Sequence, residues 1–577
     1  MATSAAVVGG GPCGLMALKN FREDGFDATL YESRDWVGGL WKYSTDDALS
    51  TGENTIFNTS KYRAAATDFP MPDDMDDFPT APQLYRYWND YCDHFHLWPH
   101  IKLGAKVLAV RREQDLWALD MADKDGKSQT RHFDKVAVAT GPFAKPKQPK
   151  LEGIEKFSGT VIHGTKFHEP AKYAGRNVVI VGLHASASDV ACSLAGKASK
   201  VFISHRSGVV FVPRFDDDGA IYDKMPPLWF AIFSVYLSAI WPAAYYWIID
   251  TLLGRVSKKA YPNIPESWGL SPAPSIAVSS PLISTELYPH LSSGACEPVA
   301  SIDRITGPTT LELTSGRTLS NIDTIIFCTG YNFSIPLLFS PKSLNPYPKL
   351  GDPPYLYRNT FPLHPDAKIR NSLAFLGQAA VTYPGFCQFE LLSMAISQIW
   401  KGRFSHLPPL PEMQTWHRNF LQWRQRTLRK YSASSPPSES FYPALVPFSD
   451  HVAWLDRTAG LGIREHFGWV ERWINKTSWG FWWGDREFYD LCLCGFASPA
   501  IFRVFEGGGR KVWVGAREAV FRENRRVEEQ AGRRREGVKR EGVKREGVKR
   551  EGVKREGVKR EGVKREGVER EKEIGGG

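Results

Sequence analysis

Apolar and polar positions sort the chain into short apolar runs, glycine turns and amphipathic stretches. Ala5–Val8 is apolar and ends at Gly9. A helical pattern runs from Leu15 to about Asp24, and a second apolar run spans Ala28–Tyr31. Strand, turn, helix and strand in that order predict a βαβ unit. From Pro82 to His96 the aromatics Tyr85, Tyr87, Trp88, Tyr91 and Phe95 predict an amphipathic helix with its rings in the core. Lys106–Arg111, Leu116–Met121 and Lys135–Ala139 read as strands, with a hairpin turn at Asp123–Gly126. A second βαβ unit begins at Asn177, with strand Val178–Val181, a turn at Gly182–Ala187, a helix through Asp189 and Ala191, and a strand Lys200–Ser204. Asp323–Phe327 resumes a sheet. Leu373–Leu376 reads as a last strand before a helix from about Phe386 to Trp400.

Two stretches break this alternation. Leu228–Ile249 carries no charge over 22 residues, enough to cross a bilayer, which takes about 20. Pro242 would kink it, so three arrangements stay open: a single span, a monotopic contact with the membrane surface, and a buried helical hairpin. After Arg403 the chain turns Pro- and Trp-rich, with helices expected around Met413–Tyr431 and Ala453–Trp473. From Phe521 it is highly charged, and seven five-residue units begin at Arg535. Glycine every fifth residue opposes helix, and valine alone builds no core, so a disordered tail is expected.

The repeats also account for most of the formal charge of +10. The body is nearly neutral, and nothing in it argues for nucleic acid. Eight scattered cysteines form no CxxC pair, so neither a zinc site nor a disulfide scaffold is signalled. Cys492 and Cys494 are expected to be ordinary buried thiols. The chemistry is placed on the cytoplasmic side, with membrane association through 228–253. The apolar Met1–Leu18 lacks a basic start, and its glycines serve another purpose, so it is not read as a signal peptide.

That purpose is chemical. Gly9, Gly11 and Gly14 make a Gly-x-Gly-x-x-Gly turn between strand and helix, and Glu32 ends the next strand. Gly9 permits the turn, Gly11 lets a pyrophosphate reach the backbone, and Gly14 lets the helix pack closely. Glu32 is placed to accept from ribose hydroxyls. In the second unit Arg206 stands where an NAD site would carry an acid, which suits a 2′-phosphate. The fold class is α/β with two Rossmann-like dinucleotide-binding domains, the second inserted in the first. The expected boundaries are 1–170 and 323–403 for the first domain and 171–322 for the second. A helical region follows over 404–520, then a tail over 521–577.

These motifs together resemble the flavin-containing monooxygenases, the class B flavoprotein monooxygenases, and a fungal-type member is expected. The resemblance runs from about Ala5 to Trp400. It rests on the first glycine turn with Glu32, on Gly39-Leu40-Trp41, and on Asn58-Thr59-Ser60-Lys61 followed by Asp68-Phe69-Pro70. Above all it rests on Phe157-x-Gly159-x-x-x-His163-x-x-x-Phe167. The related Baeyer–Villiger enzymes carry Trp where this chain has Phe167.

The resemblance implies FAD on Gly9, Gly11, Pro12, Cys13, Gly14, Glu32, Gly39 and Thr59, with the flavin near Leu40 and Trp41. It implies NADPH on Gly182, Ser186, Ala187 and Arg206, with Ser204 as a further phosphate ligand. NADPH would reduce the flavin by hydride transfer. Reduced flavin would take up O2 as a C4a-hydroperoxide, whose distal oxygen an amine nitrogen or a sulfur would attack. That is the activity of an N,N-dimethylaniline monooxygenase. Asn58 would be the catalytic residue, its amide contacting the peroxide or the nicotinamide nucleotide, since an amide donates and accepts without titrating. Read on its own, Asn58 also fits a loop cap bonding its own backbone. His163 is read as structural rather than as a general base. No metal and no protein partner is inferred.

One departure stands out. The second glycine of the second turn is His184. It either swings aside or meets phosphate as a cation, leaving NADPH binding intact, or it has cost the chain efficient binding. The first is favoured. Three functions remain in competition: an oxygenase of nitrogen, sulfur or, in Baeyer–Villiger fashion, carbonyl carbon; an uncoupled NADPH oxidase; and a degenerate membrane-associated flavoprotein.

Overall fold

A central strand buried on both faces must be apolar throughout, and Ala5–Val8 meets that condition. The computed structural model describes residues 2–45, 49–143, 145–379, 381, 385–402, 405–432, 444–468, 476–505, 510 and 512–536. In it Ser4–Val8 is the middle of a five-stranded parallel sheet. The order is Leu373–Phe375, Lys135–Val138, Ser4–Val8, Asp27–Tyr31, Ile101–Lys102. A second five-stranded parallel sheet runs Cys296–Ala300, Lys200–His205, Asn177–Val181, Thr324–Phe327, Thr160–His163. The chain leaves the first sheet, completes the second, and returns to lay down Leu373–Phe375 at the first sheet's edge. The second unit is thus inserted in the first, and the expected bounds of 171–322 are corrected: Thr160–His163 and Thr324–Phe327 pair in its sheet.

The strands around the turn at Asp123 form as expected, as Lys106–Glu113, Leu116–Ala122 and Ser128–Phe133, joined by Leu338–Ser340. The aromatic helix is Ala81–His94. A capping box of Thr80 and Gln83 starts it, and Tyr87, Trp88 and Tyr91 are buried in the main core.

The uncharged stretch is two helices, Leu228–Ile240 and Pro242–Ala260. Pro242 cannot donate to the preceding turn, so it ends one helix and starts the next. Among the described residues no helix is long and apolar enough to cross a membrane. The single-span arrangement is corrected accordingly. Leu228, Ile232 and Tyr245 are buried, and the first helix packs against Phe448–Ala459.

The helix expected at Ala453–Trp473 is also two, Phe448–Ala459 and Ile463–Phe467. Gly460 and Gly462 lie between them, both with positive φ. Residues 469–473 lie outside the described residues. Cys492 is buried, but Cys494 at the end of helix Arg486–Cys494 is exposed, a correction to the pair of buried thiols. The eight cysteines are free.

A buried ionic network ties the C-terminal region to the first unit. Helix Pro12–Glu23 supplies Lys19, Asn20 and Glu23, with Asp24 as its C-cap. Arg503 donates to Asp68 at 2.7 Å and Glu23 at 2.9 Å, and Arg510 reaches Asp24 and Glu23 at 3.3 Å each. Lys19 pairs with Asp68 and Glu23. Burial alone would raise the Glu23 pKa, but Lys19, Arg503 and Arg510 overcome it and hold it at about 2. Removing one partner of such a buried set costs about 3–5 kcal/mol. Nearby Glu390, on helix Cys387–Lys401, accepts from the Thr67 N–H at 2.6 Å, and burial pushes its carboxyl up.

A helix over 516–536 continues past residue 521, where the charged tail was expected to begin. Ala516, Val520, Val527 and Ala531 form a narrow buried stripe amid the charges. Gln530 donates to Asp77 at 2.9 Å and to the Gly219 carbonyl at 3.2 Å, Glu528 pairs with Lys224, and Arg534 stacks on Phe215. The repeats from residue 537 onward lie outside the described residues.

Candidate active site and the two glycine crooks

At the C-terminal end of strand Ser4–Val8 the chain turns through Gly9. Its φ is +112°, and a Cβ there would lie 2.5 Å from the Ala139 carbonyl oxygen. The Gly9 N–H donates to Tyr31 O at 2.9 Å. Gly14 begins the helix so close to the turn that a Cβ would meet Gly9 O at 1.9 Å. A Cβ on Gly11 would meet only the Gly39 Cα, at 3.7 Å, so the surface there is open main chain. Pro12 occupies the first turn of the helix, and no side chain caps it. Cys13 follows, its thiol held protonated by burial, with pKa pushed up to about 12.

Glu32 is buried at the end of strand Asp27–Tyr31. It accepts from Gly10 N–H at 2.6 Å, Arg34 N–H at 2.9 Å and Ser33 Oγ at 3.0 Å. Gly38 N–H bonds Gly10 O at 2.8 Å and brings the short helix Gly39–Trp41, with Leu40, alongside the crook. Beside Gly9, Thr140 Oγ1 is buried and has no partner among the described residues. An uncapped helix start, bare backbone at Gly11 and an orphaned hydroxyl fit a dinucleotide pyrophosphate.

The loop after Gly39–Trp41 brings Asn58 to this end of the sheet. Trp41 meets Phe57 and Phe386 edge-on at 5.1 and 6.1 Å, and Phe57 and Phe386 stack at 5.1 Å. The Asn58 carbonyl accepts from Tyr222 Oη at 2.7 Å. Among the described residues nothing hydrogen-bonds its side-chain amide, so Asn58 is not a cap on its own backbone. Thr59 and Ser60 behind it are buried.

The second crook repeats the first in backbone. Gly182 has φ +123°, a Cβ there would lie 2.4 Å from Cys328 O, and its N–H donates to Ser204 O at 2.8 Å. Helix Ala185–Leu194 likewise starts without a side-chain cap, with Ser186 exposed and Ala187 buried. Arg206 is exposed and makes no ion pair among the described residues. Free cation, exposed hydroxyl and uncapped helix fit a phosphorylated dinucleotide.

Ser204 is a correction. It is only 1% exposed, donates to Ala300 O at 3.1 Å and accepts from Ile302 N–H at 3.2 Å. Its hydroxyl is spent inside the sheet and does not face a phosphate.

His184 turns its Nε2 to Ser279 Oγ at 3.3 Å. The ring reaches solvent at the mouth of the crook but is hemmed in by protein, and that loss of water lowers its pKa. A ring turned to Ser279 favours the swung-aside arrangement.

Residues 2–434 match the profile of the flavin-binding monooxygenase-like family. This chain belongs to that family. It is 33% identical over 548 residues to monooxygenase aurF of Gibberella zeae, covering 92% of this chain and 99% of that one. It is 27% identical over 538 residues to human flavin-containing monooxygenase 2, covering 91% and 92%. Among solved structures it resembles the S-allyl-L-cysteine S-oxygenase of Allium sativum, with TM-score 0.58, 19% identity, and 85% and 95% coverage. It also resembles the NADP+-bound cyclohexanone monooxygenase of Rhodococcus sp. Phi1, with TM-score 0.54, 16% identity, and 81% and 99% coverage. The cofactors of this flavin-binding monooxygenase are FAD and NADPH.

Within this flavin-binding monooxygenase His163 has both nitrogens engaged. Nδ1 accepts from Thr165 N–H at 3.2 Å, which leaves Nε2 to donate to Gly330 O at 3.3 Å. The sequence did not point to Phe57, Phe386, Tyr222 and Asp223 at the Asn58 loop, nor to the bond between Asp189 of the second helix and Thr55. All but Asp189 lie outside the βαβ pattern, and no spacing announces them.

Proposed function

We propose that this chain is an FAD- and NADPH-dependent monooxygenase that inserts one atom of O2 into a nitrogen or sulfur of a small molecule. NADPH, a proton, O2 and the substrate give NADP+, water and the oxygenated product. The observation that carries this reading is the Asn58 amide, without a hydrogen-bond partner among the described residues and next in sequence to Phe57 of the Trp41–Phe57–Phe386 wall.

In this reading Gly9, Gly11, Pro12, Cys13, Gly14, Glu32, Gly39, Leu40, Trp41 and Thr59 hold FAD. Gly182, Ser186, Ala187 and Arg206 hold NADPH. When bound, the flavin supplies the hydride acceptor and the activation of O2. The chain's own part is to orient both nucleotides, to dry the pocket with the aromatic wall, and to hold the reacting oxygens with the Asn58 amide. Phe167, in place of the Trp of the Baeyer–Villiger enzymes, supports attack by nitrogen or sulfur over insertion at a carbonyl.

The test is anaerobic reduction of the FAD-loaded protein by NADPH, then air, with a tertiary amine, a thioether or a ketone. N-oxide or sulfoxide formed in step with NADPH consumed supports the proposal. Ester formation would establish the Baeyer–Villiger alternative. Hydrogen peroxide in place of product would establish an oxidase, and no bleaching by NADPH would leave a degenerate flavoprotein.

We further infer that the hairpin 228–260 touches a membrane surface. Ile240, Trp241 and Trp247 are 83%, 64% and 68% exposed near its turn, and an aromatic tip suits the lipid–water interface. Flotation with anionic vesicles checks this, since Trp241→Ser with Trp247→Ser should abolish it.

A further inference from the structure

The Asn58 loop belongs in sequence to the first nucleotide unit, yet three hydrogen bonds hold it from the second. Thr55 Oγ1 donates to Asp189 Oδ2 at 2.9 Å, on the helix of the second crook. The Asn58 carbonyl accepts from Tyr222 Oη at 2.7 Å, and the Ser60 N–H donates to Asp223 Oδ2 at 2.8 Å. Asp223 is buried, with the Arg63 guanidinium as its opposing charge.

The segment carrying Tyr222 and Asp223 is fixed to the second crook. Phe211–Val212 pairs with Leu282–Ile283, the Ser284 N–H donates to Val212 O at 3.1 Å, and Ser284 Oγ lies 3.3 Å from Ser188 Oγ on helix Ala185–Leu194. The path from the start of that helix to the Asn58 main chain is therefore continuous and short.

We propose that Tyr222 and Asp223 are positioning residues for Asn58: docking of the second unit fixes the loop's main chain and so aims its side-chain amide. This rests on the role given to Asn58 above. The contacts divide the labour on that loop. The second unit takes up main-chain groups at residues 58 and 60, and the Asn58 amide is left to face the reaction. A hydrogen bond holds such a geometry only while its donor stays in place. Separation of the two units would release the loop, and a nucleotide on the second crook that stabilises docking would restrain it.

The experiment uses the full-length, FAD-loaded protein. Tyr222→Phe deletes one hydroxyl but keeps the ring, which stacks on Phe78 at 5.9 Å, so flavin content and NADPH-driven bleaching should match the wild type. Amide exchange of the peptide spanning residues 55–62, measured with NADP+ bound, should quicken about fivefold, as expected for one lost hydrogen bond. Release of hydrogen peroxide by the NADPH-reduced enzyme in air, without substrate, should rise by a similar factor. Asp223→Asn keeps an acceptor for Ser60 and should lie between Tyr222→Phe and the wild type.

Exchange and peroxide release within twofold of the wild type in Tyr222→Phe would overturn the proposal. Asn58→Ala, run in parallel, separates the two ideas. If it raises peroxide release while Tyr222→Phe does not, Asn58 keeps its role and the positioning proposal falls. If it changes nothing, the role of Asn58 falls, and positioning falls with it.

Discussion

The two crooks share a backbone and differ in every side chain that finishes it. Gly9 and Gly182 take the same left-handed turn, donate to a carbonyl at the end of the next strand in sequence, Tyr31 and Ser204, and press against the carbonyl just past the strand on the other side, Ala139 and Cys328. Beyond that, Gly11 corresponds to His184, Gly14 to Ala187, and the buried Glu32 to a segment where Arg206 carries the exposed charge. The helices differ in the same sense. The acid Glu23 is neutralised by three cations, whereas Asp189 has, among the described residues, only the Thr55 hydroxyl as a hydrogen-bond donor, with Arg214 and Glu286 nearby. Burial therefore pushes Asp189 up to about 6. The first crook is followed by a helix whose far end is locked by a buried ionic network. The helix of the second carries a buried acid held by a neutral hydroxyl instead.

The largest expected break in this pairing comes from Gly14→Ala. Its Cβ would overlap the Gly9 carbonyl, costing at least about 3 kcal/mol, and the purified protein should lack flavin absorbance. The matching change, Ala187→Gly, should cost the helix penalty of about 1 kcal/mol plus about 0.8 kcal/mol for its buried methyl in thermal unfolding. Next is Arg206→Ala, expected to weaken NADP+ about 10- to 100-fold by loss of charged hydrogen bonds. NAD+ affinity should hardly move, which titration of tryptophan fluorescence would measure.

Asp189→Asn sharpens the contrast between the helices. Asp189 has its folded pKa raised from 3.8 to about 6, so its contribution is fully present below 3.8 and lost as pH rises through 6. The variant should be more stable than wild type at pH 8 by about 1–2 kcal/mol and equal to it at pH 3.5. Glu23, held at about 2, has the opposite sign. Its contribution is full above 4.5 and fades as pH falls toward 2. Urea titrations across that range read both. The smallest effect is expected for His184→Gly, with NADP+ affinity within about threefold, because the ring already turns to Ser279. A tenfold gain would instead mean that the imidazole crowds the phosphates.

Both crooks were legible in the sequence because each packs its signal into some thirty residues: an apolar run ending in a glycine, a helix and a charge at the next strand's end. Asn58 was legible only through family resemblance. Its neighbours were not, because the Asn58 loop is built by contacts between segments over 130 residues apart, such as Thr55 with Asp189 and Asn58 with Tyr222. Ser204 was misread for a local reason. Period-two alternation places a strand residue on one face or the other, and a hydroxyl looks the same in either direction. Pro242 was legible as a break, but a break alone does not say whether two helices fold back together. The helix over 516–536 was hidden by its own charges, since four small apolar residues at helical spacing suffice once a groove exists to receive them.

The buried network also sets an order in time. Glu23 and Arg503 are 480 residues apart in the chain. At about 5–20 residues per second of synthesis, roughly 25–100 s pass between the emergence of the acid and that of its partner. During that interval the helix that seats the flavin carries acids whose arginines have not yet been made. A ribosome that stops between Leu194 and Arg503 releases a chain with both crooks complete and its first helix still short of the arginines that pair with its acids. The ion pairs that tie the C-terminal region to the first helix therefore close late in synthesis, once Arg503 and Arg510 have emerged.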